Sequence, residues 1–414
     1  MQQIITPTTI KGTLLAPASK SVAQRAIAIA SLASGESEIH HAGNCDDVLA
    51  AIDVCRRLGA KIESRGDVLI IRGGITAPHD TLDCGEAGLG VRMFSPIAAT
   101  LNQKVILTGR GSLLKRPMDM IEQSLKALGI HCETQNGRLP VTVSGPIPGG
   151  DAKIDGSVSS QVLTGILIAA PYALQPLRIE VNNLKSIPYI DLTIQTMGAF
   201  GVDVVHQNYE EFFIDAPQRY IPANFIVEGD WSGAAFMLVA GAIAGEIRIE
   251  NLRNDSTQAD RAIIEALRKS NAGVTVGKDF VSVKKGELKS FEFDATHCPD
   301  LFPPLVALAV NCEGVSAIKG VSRLAVKESD RALTLKQEFG KLGVEIKLEN
   351  DTMLIEGSGI RGGEVFAHHD HRIAMACAVA GITAGQAVVV DNAEAVAKSY
   401  PHFYEDLKAV SQNC

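Results

Sequence analysis

Apolar and polar positions along the chain change period in a regular cycle. Stretches such as "RAIAIASLASG", "RMFSPIAATLN", "QVLTGILIAAPYALQ", "GAAFMLVAGAIAG", "PPLVALAVNCEG" and "RIAMACAVAGITAG" are apolar on nearly every side, as expected of helices enclosed within a domain. Each leads through a turn into a β-rich run, for example "ESEIHHA", "KVILTG" or "LRIEV". A second set, including "DDVLAAIDVCRRLG" and "ESDRALTLKQEFGKLG", mixes apolar and charged residues at helical spacing and is expected to cover the outside. Strand pairs such as "GDVLIIRG" and "DTMLIEGS" complete the cycle.

The cycle has a fixed length. The phrases "RRLGAKIE", "KALGIHCE", "GAFGVDVV", "KSNAGVTV" and "KLGVEIKL" put glycines at 59, 129, 201, 273 and 343, spaced by 70, 72, 72 and 70 residues. Each reads as a helix closed by a left-handed glycine and followed by a strand. Six copies of about 69 residues fill the 414-residue chain, and each is α/β material. Six units exceed what one core usually holds, so two domains of three units are expected, divided between residues 215 and 230. One closed ring of six units is the alternative.

Bulk composition narrows the class. The chain is 46% hydrophobic, carries 39 Lys and Arg against 47 Asp and Glu for a net charge of −8, and is only 5% aromatic with one Trp. Neither a basic field for nucleic-acid phosphates nor a base-stacking platform follows from that balance. The opening "MQQIITPTTIKGTLLAP" lacks a basic segment followed by a long apolar run, and nowhere does the chain approach the ~18 uninterrupted apolar residues of a membrane span. A soluble cytoplasmic protein without membrane partner is expected. Cysteines at 45, 55, 84, 132, 298, 312, 377 and 414 form no C-x-x-C pair, which argues against zinc and against a disulfide framework; they read as small core residues.

The repeat also shows what occupies equivalent positions. Outer helices begin near Asp47, Pro117, Pro188, Asp260, Asp330 and Pro401, enclosed helices near Ser21, Gly88, Ser159, Asp230, Asp300 and Asp370. Proline and Asp are ordinary helix-start residues. The cations beside them are less ordinary: Lys20 and Arg25 in "LAPASKSVAQRAI", then Arg92, Arg116, Lys185, Lys327, Arg331, Arg372 and Lys398. A helix start already carries partial positive charge, so cations gathered there repel unless a multiply charged anion sits among them. Anion binding is the simplest explanation of the set, although any one of them taken alone reads as a solvated surface charge. Asp230, Asp300 and Asp370 recur at intervals of 70, so N-capping is the ordinary explanation of all three, and spacing alone does not single out Asp300 for catalysis. Ser159, Ser160 and Gln161 fit either a cap or a ligand site. His368, His369 and His371 in "AHHDHR" look like metal ligands but have no companion cluster at zinc spacing.

Nine segments carry a more specific likeness: "PASKSVAQR", "CGEAGLGVR", "LLKRPMDMI", "DGSVSSQVLTGILIAAPYA", "KSIPYIDLT", "VEGDWSGAAF", "VKESDR", "HDHRIAM" and "AKSYPHFYEDL". In their order and over about residues 10 to 407, the chain resembles the 5-enolpyruvylshikimate-3-phosphate synthase family. The resemblance implies an α/β fold of two domains, each of three βαβαββ units, with the active site in the interdomain cleft. It places residues 13–229 in one domain and 1–12 with 230–414 in the other. The implied reaction joins phosphoenolpyruvate to shikimate 3-phosphate without cofactor or metal, in a monomer.

Residue by residue, the resemblance assigns shikimate 3-phosphate to Lys20, Ser21, Arg25, Ser159, Ser160, Gln161, Ser186, Tyr189, Asp300 and Lys327. Phosphoenolpyruvate falls to Lys20, Gly88, Arg116, Gln161, Arg331, Arg372 and Lys398. Asp300 and Glu328 are the implied acid and base, with Lys20 in the proton-transfer group. Ala18, Glu86, Leu89 and Arg323 depart from the commoner pattern, which bears on affinity and on inhibition by glyphosate more than on reaction class. Glu86 adds negative charge beside an anion site and is expected to point away or to pair with a cation. A UDP-N-acetylglucosamine enolpyruvyl transferase is the nearest rival, but that family's reactive cysteine would lie near "GSLLKRPMD", which has none. A non-catalytic binder of phosphate-rich ligands is the rival from another class.

Overall fold

Where the apolar pattern has a period of two the chain forms strands, as in Leu177–Asn182, whose residues are alternately buried and exposed. Where it is apolar throughout, enclosed helices form. Every residue of Trp231–Ala244 except Ser232 is buried, and Gly88–Ala98 is buried along its whole length. The structure is a computed structural model describing residues 1–75 and 79–412, so Cys414 lies outside it. The other seven cysteines are buried and form no disulfide among the described residues.

The chain forms two compact units, Met1–Pro17 with Glu228–Cys414, and Ala18–Val227. In the unit 18–227 each of three sheets has the same order: an edge strand, a parallel neighbour, then an antiparallel hairpin. The strands are Asn224–Ile226, Glu36–His40, Val68–Arg72 and Lys61–Arg65 in the first sheet. Thr81–Asp83, Lys104–Thr108, Arg138–Ser144 and His131–Gln135 repeat it, and so do Gly150–Asp155, Leu177–Asn182, Glu211–Ile214 and Val205–Gln207. Helices Lys20–Leu32, Gly88–Ala98 and Ser160–Ala169 fill this unit's core. The last two approach closely at Gly165, where a Cβ would come within 2.5 Å of the Met93 carbonyl oxygen.

The other unit repeats the plan with Trp231–Ala244, Phe302–Ala309 and His371–Gly381 as enclosed helices. The chain's first strands complete two of its sheets: Thr9–Leu15 runs parallel to Gly245–Glu250, and Gln2–Ile5 runs antiparallel to Val388–Asp391.

Five outer helices end in one hydrogen-bond pattern. Gly59, Gly129, Gly201 and Gly343 are left-handed at φ +108°, +75°, +78° and +87°. In each case that residue's N–H and the next bond back to carbonyls in the last turn, such as Gly59 to Arg56 and Ala60 to Cys55. The fifth such helix corrects the expectation for Gly273. Asn271, at φ +64°, makes the same bonds, to Arg268 and, through Ala272, to Leu267, while Gly273 opens the following strand. Asn tolerates the left-handed conformation because its short polar side chain can bond locally.

Candidate active site

In the unit 18–227 the proposed ligands cluster at the starts of enclosed helices. Lys20 is the first residue of Lys20–Leu32, and its ammonium lies 2.6 Å from Asp47 Oδ2 at the start of Asp46–Arg57, both nearly buried. Arg25, one turn on, is 1% exposed. It donates to Ser21 O, Thr193 Oγ1, Thr164 Oγ1 and Tyr189 O. Burial lowers its pKa to about 10, which leaves it charged at neutral pH.

Gly88 opens Gly88–Ala98 directly under Arg116, where a Cβ would stand 2.5 Å from Nη1. Arg116 follows the turn Gly111–Lys115 and is buried. Glu86 turns onto Ser112, accepting from its N–H at 3.3 Å and its hydroxyl at 3.1 Å. Ser159 caps Ser160–Ala169 by accepting from the Gln161 N–H, and Gln161 Oε1 accepts from Arg92 Nη1 at 2.8 Å. Ser186, buried and left-handed at φ +56°, precedes Pro188–Ala199.

The second unit holds a denser cluster around Arg331, the first residue of Arg331–Lys341 and fully buried. Its Nε donates to Asp370 Oδ2 at 2.8 Å, Nη1 to Asp300 Oδ1 at 2.7 Å, and Nη2 to Glu328 Oε2 and Asp370 Oδ1. Asp300 also meets Lys327 Nζ at 3.2 Å and Arg372 Nη2 at 3.3 Å. Burial pushes the Asp300 carboxyl up, but Arg372, Lys327 and Arg331 together hold it well below the usual carboxylate range. Burial lowers the Lys327 pKa against the pull of Asp300. Arg323 follows suit, lowered by burial with Asp300 opposing, so the departure from asparagine there puts a further cation in the field of Asp300. Lys398 closes the turn Ala393–Lys398 and is itself buried.

The structure refines two sequence expectations. For two of the cations, carboxylates already offset part of the charge: Asp47 for Lys20, and Asp300, Glu328 and Asp370 for Arg331. Arg25 differs, since all its hydrogen bonds go to neutral oxygens. The three equivalent aspartates do not share a role. Asp230 and Asp370 accept from the N–H of Ser232 and Arg372 as caps. Asp300 sits inside the turn Pro299–Leu301, and the helix after it begins Phe302-Pro303-Pro304. The donor equivalent to those of Ser232 and Arg372 is the Phe302 N–H, and it bonds instead to the Pro299 carbonyl, so Asp300 is not engaged as a cap. Thr164 and Thr193 were missed; a hydroxyl inside an apolar helix must find a buried partner, and "VLTGIL" was the clue.

The model of the family described as EPSP synthase (3-phosphoshikimate 1-carboxyvinyltransferase) matches residues 4–407. The chain belongs to the EPSP synthase family. A 3-phosphoshikimate 1-carboxyvinyltransferase from Clostridium novyi is 37% identical over 419 aligned residues, covering 98% of this chain and 96% of that one. The solved EPSP synthase of Acinetobacter baumannii has a TM-score of 0.84 at 28% identity, covering 99% of this chain and 98% of the other. At 17% identity and a TM-score of 0.79, the enolpyruvyl transferase NikO from Streptomyces tendae shares the fold. The α/β architecture with three-unit halves is thus that of the EPSP synthase fold. Among the described residues no helix is long and apolar enough to cross a membrane.

Proposed function

We infer that the protein transfers the enolpyruvyl group of phosphoenolpyruvate to the 5-hydroxyl of shikimate 3-phosphate, releasing phosphate, in the route to chorismate and the aromatic amino acids. Family membership supports the reaction class. The observation that carries the chemical reading is Asp300, a carboxylate held ionised among three cations instead of capping its helix.

In this reading shikimate 3-phosphate is held by Lys20, Ser21, Arg25, Ser159, Ser160, Gln161, Ser186, Tyr189, Asp300 and Lys327. Phosphoenolpyruvate is held by Lys20, Gly88, Arg116, Gln161, Arg331, Arg372 and Lys398. Asp300 accepts the 5-hydroxyl proton as oxygen attacks the enol carbon, while Lys20 and Glu328 deliver a proton to the methylene carbon. The tetrahedral adduct then breaks its C–O bond to phosphate and loses a methyl proton to restore the double bond. Nearby cations keep Asp300 in its basic form but make it a weak base, so alignment must supply much of the rate. Arg331, shared by three carboxylates, also fixes Asp300 and Glu328 beside the phosphoenolpyruvate it helps to hold. Arg372, bonded to His371 Nε2 at 2.9 Å and more loosely to Asp300, is better placed to turn toward a phosphate or carboxylate. The protein works as a cytoplasmic monomer on these two small molecules, without nucleic acid or membrane.

Inorganic phosphate release from phosphoenolpyruvate tests the assignment. It is expected with shikimate 3-phosphate and not with UDP-N-acetylglucosamine as acceptor. The reverse preference would move the protein to the sister reaction, and release with neither would leave a binder.

A further inference from the structure

Arg25 reaches from Lys20–Leu32 to hydroxyls on two other helices of its unit, Thr164 on Ser160–Ala169 and Thr193 on Pro188–Ala199. Both threonines are 0% exposed. Their hydrogens can be placed by elimination. Thr193 Oγ1 lies 2.7 Å from the Tyr189 carbonyl, which can only accept, so the Thr193 hydrogen points there. The contact of 3.0 Å between the two hydroxyls must then be donated by Thr164. Thr193 Oγ1 is left to accept from Thr164 and, at 2.9 Å, from Arg25 Nε, while Thr164 Oγ1 accepts from Arg25 Nη2 at 3.2 Å. Each hydroxyl hydrogen in the network has one allowed place, and every acceptor that Arg25 meets among the described residues is neutral.

A carboxylate in place of either hydroxyl would hold the guanidinium as firmly and cancel its charge, as Asp370 and its partners do for Arg331. Hydroxyls and carbonyls hold it and leave the charge unspent. One Nη1 hydrogen also has no acceptor among the described residues, since Ser21 O takes only one.

We propose that Thr164 and Thr193 are positioning residues that fix Arg25 in a cage of neutral oxygens, so that its full charge is reserved for an anionic group of the acceptor substrate. The proposal rests on the reading of Arg25 as a ligand of shikimate 3-phosphate. It makes the first hydroxyl of the cage, Thr193, a determinant of acceptor affinity without contact with the acceptor.

Thr193→Val keeps the side chain's shape and leaves two buried donors, Arg25 Nε–H and the Thr164 hydroxyl, without an acceptor. Binding of shikimate 3-phosphate by calorimetry is expected to weaken about tenfold, because the guanidinium is no longer held in its binding position. The KM for that substrate should rise alike, with the KM for phosphoenolpyruvate and the kcat within about twofold. Thr193→Ser restores the hydroxyl and should restore affinity, which a loss of packing alone would not allow. Thr164→Val serves as the second variant should Thr193→Val fold poorly, and is expected to weaken binding severalfold. Unchanged affinity in a folded Thr→Val variant, or equal losses in the Val and Ser variants of Thr193, overturns the cage. Wild-type protein that fails to bind shikimate 3-phosphate while remaining folded overturns the underlying assignment of Arg25 and the cage's role with it.

Discussion

The Arg116 guanidinium rests on Gly88, so closely that a single added methyl would meet Nη1 at 2.5 Å and Cζ at 3.0 Å. Contact with the far end of a long side chain is cheap to relieve, because the side chain can move where backbone could not. Gly88→Ala is therefore expected to fold with a melting temperature close to wild type while displacing Arg116. Steady-state kinetics should show the KM for phosphoenolpyruvate raised about tenfold or more, since small misplacements of a binding group are costly. A variant with unchanged KM would separate Arg116 from that substrate.

Asp300 joins Lys327, Arg331 and Arg372, and its replacement should strike the rate before the fold. Asp300→Ala is expected to lose ~10²-fold or more in kcat, the scale of a removed general base. Arg331 retains Glu328 and Asp370 in that variant, so circular dichroism and gel filtration should match wild type. Turnover at the normal rate would remove Asp300 from the mechanism.

Asp260 gives a pH dependence of stability with a definite sign. It is 1% exposed, accepts from the Ser232 hydroxyl, and has an Oδ1 without a hydrogen-bond partner among the described residues. Burial first, then the charge of Asp300, raises its pKa from the usual 3.8 to about 7, against the opposing pull of Arg372. A raised folded-state pKa means that the native protein holds a proton the unfolded chain has released. Its stabilising contribution is present below pH ~4 and is lost as pH rises through about 7. Denaturation midpoints of wild type relative to Asp260→Asn should fall between those limits and level off above them. A flat difference across that window would refute the account.

Glu338 anchors the segment that leads into Asp370 and Arg372. Fully buried, it accepts from Lys341 Nζ at 2.9 and 2.7 Å, from the Phe366 N–H at 2.9 Å, and meets His368 Nε2 at 2.8 Å. Burial raises its pKa, but these bonds overcome it and leave the carboxyl below its usual value. The lowered pKa places its stabilising contribution above pH ~4.5, to be lost on further acidification. Glu338→Gln should cost about 2 kcal/mol at neutral pH by urea unfolding, the scale of a charge-assisted bond network losing its charge. A loss under ~0.5 kcal/mol would mean the cluster is solvated in practice.

The six-fold cycle was legible because two physical periods alternate along the chain. Apolar-all-round and one-sided helices obey different burial rules, and left-handed helix ends demand particular residues. Even so, the glycine rule misplaced one helix end, where Asn271 does the work expected of Gly273. Spacing likewise made Asp230, Asp300 and Asp370 equivalent. The structure separates Asp300 from the caps, because the Phe302 N–H that it would need is taken by the Pro299 carbonyl.

By itself the sequence determined that cations collect at helix starts, that the enclosed helices are apolar, and which family the chain resembles, since each follows from residue type and local order. Tertiary structure alone decided which charges are spent. Lys20 and Arg331 meet carboxylates from other elements, while Arg25 meets two threonines distant in the chain, 139 and 168 positions away. The reason is that a charge's availability depends on what lies within a few ångströms in space, and long-range packing, not spacing along the chain, sets that.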